Sequence, residues 1–218
     1  MNILLKFPTR SRPRIFLQRL SELSWMSSDI QILVSYDEDD SSMLPSIIKQ
    51  AMEMCDKIVL IEGEGSTKIE ACNRDVNKIK DWDIVILMSD DMIPQVEEWD
   101  DVIRYDMKTN FPDLDGCLWY SDGYQDRICT MVVMGKTYYD RTKYLYHPDY
   151  TSLFSDNEQT EVAQNLGKMF KSDTCLFKHE HPMNNRTVSN DALYKRNEPF
   201  WDIDKKVYER RKSNGFKD

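Results

Sequence analysis

The sequence of 218 residues is long enough for one large domain with its own hydrophobic core. Its composition, 40% hydrophobic and 31% charged with 8 prolines and 7 glycines, is typical of a folded globular protein and argues against a largely disordered chain. The formal net charge of -9 argues against a protein that mainly coats nucleic acid, because such binding depends on Lys and Arg residues that neutralise phosphates.

The sequence predicts a cytoplasmic protein without a transmembrane segment. The longest apolar run near the start, residues 3–5, is followed at once by Lys6 and is too short for a signal peptide or a membrane span. The cysteines are odd in number and scattered, without CxxC spacing or the density of a disulfide scaffold. We therefore expect the protein to be in a reducing compartment, with free thiols at the five cysteines, Cys55, Cys72, Cys117, Cys129 and Cys175.

Basic residues are concentrated at the start of this acidic chain. The first 20 residues contain no Asp or Glu, but they contain Lys6, Arg10, Arg12, Arg14 and Arg19. This part of the fold should therefore offer a local positive field that suits a small anion.

Strands and helices alternate through the first part of the chain. Apolar and β-branched runs predict strands at residues 1–7, 30–36, 57–61 and 83–88, and helical spacing predicts helices at 14–25, 43–54 and 67–79. This alternation predicts an α/β fold with a mostly parallel, Rossmann-like central sheet flanked by helices. Ligands of such sheets bind at the carboxyl ends of the strands. Those ends carry the polar turns Pro8-Thr9-Arg10, Asp37 to Asp40, Glu62-Gly63 and Ser89-Asp90-Asp91.

The regular alternation ends after Asp91. Helices are predicted at residues 96–107 and 157–166, and strands at 116–120, 128–133 and 173–177. Residues 190–218 are polar and mixed in charge with a few apolar anchors, which predicts a helical tail packed on the domain or on a partner.

Asp90 and Asp91 follow a strand that is apolar throughout residues 84–88. Two adjacent carboxylates repel one another, and a hard divalent cation neutralises them. Such a cation, held by one or two carboxylates, takes its other ligands from water and substrate phosphates. Because Asp is also a common turn residue, the pair alone leaves a structural role equally open.

Three segments together resemble family 2 of the glycosyltransferases, enzymes with the GT-A fold. KFPTRSRP, which begins at Lys6, resembles the first strand and turn of that fold, and SYDEDD resembles its second-strand acidic turn. Residues 68–94 resemble the family's helix with an Ala-x-Asn pattern, the strand that follows it and the DxD-like motif. The resemblance covers residues 1–95 and implies a single GT-A domain at 1–189. Its nucleotide-sugar-binding half is 1–95, its acceptor half with a smaller sheet is 96–189, and residues 190–218 form the tail.

The resemblance implies transfer of a sugar from a nucleotide-diphosphate donor, UDP-linked, to an acceptor hydroxyl with Mn²⁺ or Mg²⁺ as cofactor. Ser89 occupies the position of the first Asp of the DxD pattern. The resemblance therefore implies Asp91 as the metal ligand and Asp90 as a contact of the ribose or the metal. Further implied donor-binding residues are Pro8, Thr9, Arg10, Asp37, Asp39, Asn73 and Arg74, with Trp119, Asp122 and Gly123 beneath the donor sugar. An ionised Asp37 would accept a hydrogen bond from an imide N–H such as that of uracil. Alternatively, Asp37, Asp39 and Asp40 are merely solvated and cap the next helix. The neighbouring aromatic residues Tyr120 and Tyr124 fit a packed core equally well.

Acceptor-side residues are implied by the same resemblance. YTSLFSDNEQTEVAQNLGK resembles the region in which an acidic residue that opens a helix is the general base of an inverting transfer. Asp156 is the first choice and Glu158 the second, although either could simply be a first-turn acid. His179 and His181 would point to one side of an extended segment. The family's late histidine metal ligand corresponds to one of them, with His181 favoured, whereas no cysteine has the spacing of a zinc site with this pair.

Two other functions stay open from the sequence. A nucleotidyltransferase also uses carboxylate-bound magnesium, but the FPTRSRP turn lacks the glycine-rich loop such enzymes need. A non-catalytic or degenerate nucleotide- or sugar-binding module is the second alternative, and Ser89 in the acidic motif keeps it open. The acceptor, whether glycan, lipid-linked glycan, protein or modified base, is not indicated, and the negative charge disfavours nucleic acid.

Overall fold

The computed structural model of the chain describes residues 1–65, 67–185, 187–188 and 191–217. Its first part alternates strands and helices as predicted: β1 (Ile3–Thr9), α1 (Pro13–Trp25), β2 (Ile30–Asp37), α2 (Pro45–Met54), β3 (Ile58–Gly63), α3 (Lys68–Asn73) and β4 (Ile84–Leu87). Both α1 and α2 begin with proline, whose missing N–H would have no partner at a helix start in any case.

The part of the chain that the structure describes also contains β6 (Cys117–Tyr120), β7 (Val133–Gly135) and β8 (Met169–Ser172). Among the described residues, seven strands form one sheet in the order β3-β2-β1-β4-β7-β6-β8. The first four of these pair in parallel. β7 is antiparallel to β4 and to β6, and β8 is parallel to β6. The sheet is therefore mostly parallel, which confirms the predicted α/β class.

Helices cover both faces of this sheet. Side chains of β1 alternate between the faces, so Ile3, Leu5 and Phe7 join one core with α1, α2 and α4 (Trp99–Asn110). Leu4 joins a second core with α3, α5 (Lys136–Tyr139) and α6 (Ser155–Asn165). Burial on both faces explains why the parallel strands are continuous apolar runs rather than alternating ones.

A smaller sheet and the last helices complete the fold. β5 (Met92–Pro94) pairs antiparallel with β9 (Phe177–His179), and Met92 is opposite His179. Helices α7 (Ala192–Asn197) and α8 (Trp201–Ser213) follow. Asp204 of α8 is fully buried and accepts three backbone hydrogen bonds from residues 151–153. The predicted boundary between residues 189 and 190 lies outside the described residues.

Three predicted elements differ from the structure. The helix predicted at 67–79 ends at Asn73, and a short 3-10 helix, Val76–Lys78, follows after a break. Only Val133 of the strand predicted at 128–133 is in a strand, β7, which continues to Gly135, whereas Met131 and Val132 are buried outside it. Residues 173–176 of the strand predicted at 173–177 are not in a strand; they connect β8 to β9, which begins at Phe177 and lies in the other sheet. In the last two segments the apolar runs correctly indicate burial, but most of the residues do not pair as strands.

None of the helices in the described ranges is long and apolar enough to cross a bilayer.

Candidate active site

The polar turns after β1, β2 and β4 meet because these strands are neighbours in the sheet. Arg10 follows β1, Asp37 ends β2, and Asp90 and Asp91 follow β4, while the β5–β9 pairing brings His179 beside them. We call these residues, Arg10, Asp37, Asp90, Asp91 and His179, the strand-end site.

Two arginines hold Asp37. Arg10 Nη1 donates to Asp37 Oδ2 at 2.6 Å, and Arg74 Nη1 lies 2.7 Å from Asp37 Oδ1. Arg10 also donates to both carboxylate oxygens of Asp39, at 2.5 and 2.8 Å, and these contacts raise the pKa of Arg10. Asp37 is only 4% exposed, so its charge is balanced by protein groups rather than by water.

Arg74 reaches Asp37 because the helix breaks after Asn73. Asp75 has a left-handed backbone with φ of 72°, and Arg74 Nη2 donates to the carbonyl oxygen of Tyr36 at 2.6 Å. The Asp75 carboxylate accepts from Ser35 Oγ at 2.7 Å, which ties the break to β2. A continuous helix would have directed Arg74 along its surface instead.

Asp91 is held on both carboxylate oxygens. Ser89 Oγ donates to Oδ1, and the Tyr194 hydroxyl donates to Oδ2 at 2.9 Å. His179 Nε2 lies 3.5 Å from the same Oδ2. Burial alone would raise the pKa of Asp91, but His179 and Ser89 hold it well below its ordinary value. These contacts therefore favour the ionised form of Asp91.

Asp90 faces a different partner. Arg12 Nη1 donates to Asp90 Oδ1 at 2.9 Å, and both side chains are less than a tenth exposed. Burial raises the pKa of Asp90 to about 6, against the opposing charge of Arg12. Asp90 and Asp91 thus have separate roles in the structure, one in an ion pair with Arg12 and one beside His179.

Asp91 and His179 fit a divalent cation. Their separation of 3.5 Å is at the outer limit of a hydrogen bond, and two ligands each about 2.1 Å from one cation lie at a similar distance from each other. His179 Nε2 faces Asp91 and can offer its lone pair to a cation when the neutral ring has its proton on Nδ1. Nδ1 is buried, and in that tautomer its N–H has no acceptor among the described residues. No three His, Cys, Asp or Glu side chains of the described residues converge as a metal cluster. A cation here would take further ligands from water and substrate phosphates, which suits Mn²⁺ or Mg²⁺ better than structural zinc.

His181 packs between His179 and Tyr194, with ring centroids 5.4 and 4.6 Å away. Burial lowers the pKa of His181 to about 4, so its imidazole is neutral near pH 7. The direct contact with Asp91 is made by His179, although the sequence favoured His181.

Asp156 and Glu158 both lie in the first turn of α6 but in different surroundings. Asp156 is half-buried, and burial raises its pKa against the charges of Lys68 and His179. Glu158 is buried and accepts from Arg211 of α8 at 2.8 to 3.1 Å. The two carboxyl groups therefore differ: Asp156 is influenced by the charges of Lys68 and His179, whereas Glu158 is paired with Arg211 where α6 packs against α8.

The amide of Asn73 is engaged in the fold. It donates to the carbonyl oxygen of Tyr146 at 2.7 Å and accepts from Leu145 N at 2.8 Å. Pro8 and Thr9 end β1, and Thr9 Oγ1 is buried with no partner among the residues that the structure describes. Asn73 therefore fixes a neighbouring loop, whereas Thr9 keeps an unused hydroxyl beside the strand-end site.

The turn that was expected beneath the donor sugar adjoins the site through its backbone. Asp122 O accepts from His179 N at 3.0 Å, while the Asp122 carboxylate accepts from the N–H groups of the next turn. Gly123 adopts φ of 82°, and a Cβ there would lie 3.2 Å from Lys178. Trp119 is buried, and Lys171 Nζ lies 4.1 Å from its ring centroid. The Trp119 ring is thus already covered by Lys171.

Three residues at the site were not singled out as site residues in the sequence. Tyr194 contacts Asp91, and Arg12 joins Asp90 to Asp191. Arg12 had a signal, since it belongs to the basic cluster of the first 20 residues. Tyr194 and Asp191 had none, because they lie about a hundred residues from the acidic motif and only the tertiary fold brings them there.

No model of a known protein family matches the sequence, and no curated protein sequence matches it. Solved structures do match the fold. The mannosyltransferase PcManGT from Pyrobaculum calidifontis, in complex with GDP-Man and Mn²⁺, has a TM-score of 0.62 at 11% identity over 82% of this chain and 56% of its own. TarS 1-349 of S. aureus, in complex with UDP-GlcNAc, has a TM-score of 0.62 at 10% identity over 82% of this chain and 58% of its own.

A cytidylyltransferase from Leptospira borgpetersenii also matches, with a TM-score of 0.53 at 13% identity over 79% of this chain and 75% of its own. The chain thus spans little more than half the length of the two glycosyltransferases. At such identities the likeness concerns the fold, and it confirms the GT-A-like α/β fold that the sequence motifs predicted.

Proposed function

We propose that the chain is a metal-dependent glycosyltransferase that transfers a sugar from a UDP-linked donor to an acceptor hydroxyl with inversion. The observation that carries this proposal is that two pairs lie at the same edge of a GT-A-like sheet: Asp91 with His179 after β4, and Arg10 with Asp37 after β1 and β2. Matching structures that contain GDP-Man with Mn²⁺ and UDP-GlcNAc support it.

On the donor side, Asp37 would accept the imide N–H of uracil. Its two oxygens already face Arg10 and Arg74, but a carboxylate offers about four lone-pair positions. Arg10, Arg74 and the Thr9 hydroxyl would line the nucleotide, with Asp39 orienting Arg10, and Asn73 would shape the wall through the loop it fixes. Asp90 would face the ribose, and the turn at Asp122 and Gly123, with Pro8 and Trp119 behind, would border the donor pocket.

Asp91 and His179 would hold Mn²⁺ or Mg²⁺, with the neutral His181 beside them. When bound, such a cation offsets the negative charge that develops on the departing diphosphate. Arg10 and Arg74 would add N–H donors to the same region, with part of their charge balanced by Asp37 and Asp39.

On the acceptor side, Asp156 would remove the proton from the attacking hydroxyl. Its pKa is raised by burial, and a base is more effective as its pKa approaches the working pH. Glu158 is the weaker candidate because its carboxylate is already neutralised by Arg211.

Nucleotidyl transfer is the second candidate. Its support is that the chain spans 75% and 92% of two matching cytidylyl-transferring structures, at TM-scores of 0.53 and 0.52. Against it stands the turn after β1, Pro8-Thr9-Arg10, which lacks glycine and so cannot wrap a triphosphate closely.

Isothermal titration and donor turnover distinguish these functions. UDP should bind the wild type tightly only with Mn²⁺, and one member of a panel of UDP- and GDP-sugars should be hydrolysed slowly. Asp91→Asn should abolish the increase in UDP affinity that Mn²⁺ produces. Asp101→Asn, a change at an exposed residue of α4, should leave that increase unaltered. Release of pyrophosphate from CTP with a sugar phosphate, without hydrolysis of any nucleotide sugar, would favour nucleotidyl transfer instead.

A further inference from the structure

Helix α7 lies over the acidic motif although it is distant in the sequence. Asp191 caps the helix by accepting from Leu193 N at 3.0 Å and Tyr194 N at 3.2 Å. The same carboxylate accepts from Arg12 Nε and Nη2, both at 2.8 Å, and the third arm of Arg12 reaches Asp90. Arg12 therefore joins the start of α7 to the end of β4.

Tyr194 is fixed from three sides in this arrangement. The Arg12 guanidinium lies 4.2 Å from the centre of the Tyr194 ring, a cation–π distance, and the His181 ring meets it edge-on at 4.6 Å. Its hydroxyl donates to Asp91 Oδ2 at 2.9 Å. A half-buried tyrosine whose ring and backbone are both held can orient the carboxylate that it contacts.

We propose that Tyr194 is a positioning residue of the strand-end site, holding the Asp91 carboxylate in the orientation in which it binds a divalent cation. Arg12 and Asp191 act through Tyr194 by fixing its ring and its helix. This inference rests on the proposed function, and it makes α7 part of the donor site rather than an appended tail.

The hydrogen bond from Tyr194 leaves Asp91 able to bind a cation. A carboxylate has about four lone-pair positions; Ser89 uses one on Oδ1 and Tyr194 one on Oδ2. The remaining lone pair of Oδ2 is available towards His179 Nε2, which lies 3.5 Å from that atom. Groups that hydrogen-bond to a metal-binding carboxylate typically change metal affinity by about 10- to 100-fold when removed.

The test measures the affinity of the full chain for Mn²⁺ by electron paramagnetic resonance at saturating UDP. Tyr194→Phe should weaken Mn²⁺ affinity about tenfold, while UDP affinity measured without metal stays unchanged. Asp191→Asn should also weaken Mn²⁺ affinity, because it removes carboxylate contacts both to the start of α7 and to Arg12. The matched control is Tyr208→Phe, which removes a tyrosine–carboxylate hydrogen bond to Glu161 elsewhere in the last helices and should leave Mn²⁺ affinity at the wild-type value.

The outcomes separate this inference from the proposed function. Unchanged Mn²⁺ affinity in Tyr194→Phe overturns it, and tighter binding overturns it as well, because Tyr194 would then compete with the cation. An equal loss of metal-free UDP binding also overturns it, since the damage would be general. Absence of Mn²⁺ binding in the wild type with UDP removes the proposed function together with this inference. Circular dichroism and thermal unfolding of each variant verify that the fold is retained.

Discussion

At the scale of single residues, the most unusual group is a lysine inside the sheet. Lys6 of β1 is fully buried, and its ammonium donates to Ser35 Oγ, which in turn donates to Asp75 at 2.7 Å. Burial lowers the pKa of Lys6 to about 7. Asp75 lies at the helix break that allows Arg74 to contact Asp37. Lys6 therefore contributes indirectly to the position of Arg74 in the site.

Lys6 should make stability depend on pH in the alkaline range. Between the folded pKa of about 7 and the ordinary value of 10.5, the unfolded chain binds a proton that the folded chain does not. The free energy of unfolding should therefore rise with pH in this window, by at most about 1.4 kcal/mol per pH unit. Urea unfolding at pH 7, 8 and 9 should show this rise in the wild type but not in Lys6→Met.

The exposed Lys49→Met is the control for this series, since its side chain is 78% exposed and should leave the slope unaltered. Parallel pH profiles of the wild type and Lys6→Met would show that Lys6 keeps an ordinary pKa in the folded state.

At the scale of elements, the last helix belongs to the core of the fold. Asp204 of α8 accepts from Thr151, Ser152 and Leu153 N at 2.7 to 2.9 Å, and these residues lead directly into α6. Arg211, two turns further along α8, binds the buried Glu158 of α6. Helix α8 thereby holds the start of α6, which carries the proposed base Asp156.

Asp204→Asn should destabilise the protein by about 3 kcal/mol. One oxygen would be replaced by an amide NH₂ that faces N–H donors, leaving buried donors without an acceptor. Asp202→Asn, exposed in the same first turn of α8, should change stability by less than about 0.5 kcal/mol. The comparison is made by urea unfolding, and equal midpoints for the two variants would mean that Asp204 does not anchor the helix.

The sequence was sufficient for features that depend on neighbouring residues. The buried strands β1, β2 and β4 were predicted from continuous apolar runs, and parallel pairing then required that Arg10, Asp37 and Asp91 meet at one edge. The break after Asn73 was not predicted, because its contacts are with residues of other strands: Ser35 donates to Asp75, and Lys6 donates to Ser35. Tyr194 was missed for the same reason, since nothing near it in the chain indicates that it will contact Asp91.

At the scale of the whole molecule, the excess of acidic residues is also found within the strand-end site. Arg10, Arg12 and Arg74 are each paired with aspartates, and Asp91 adds a further negative charge beside His179. Two members of the basic cluster of the first 20 residues, Arg10 and Arg12, are therefore already paired with carboxylates in the folded protein. A nucleotide diphosphate would meet carboxylates and arginines that are already paired, so its tight binding should require a divalent ion.

Thermal unfolding should report this requirement directly. A ligand at one hundred times its dissociation constant stabilises the folded state by about 2.7 kcal/mol, which for a chain of this size is a rise of about 5 to 10 °C in Tm. UDP with Mn²⁺ should produce this rise, whereas UDP with chelator or Mn²⁺ alone should produce much less. Asp91→Asn should lose the joint effect, while Asp202→Asn should keep it. A full rise with UDP and chelator would show that the arginines alone bind the diphosphate, and that Asp91 and His179 are not needed to hold a cation for it.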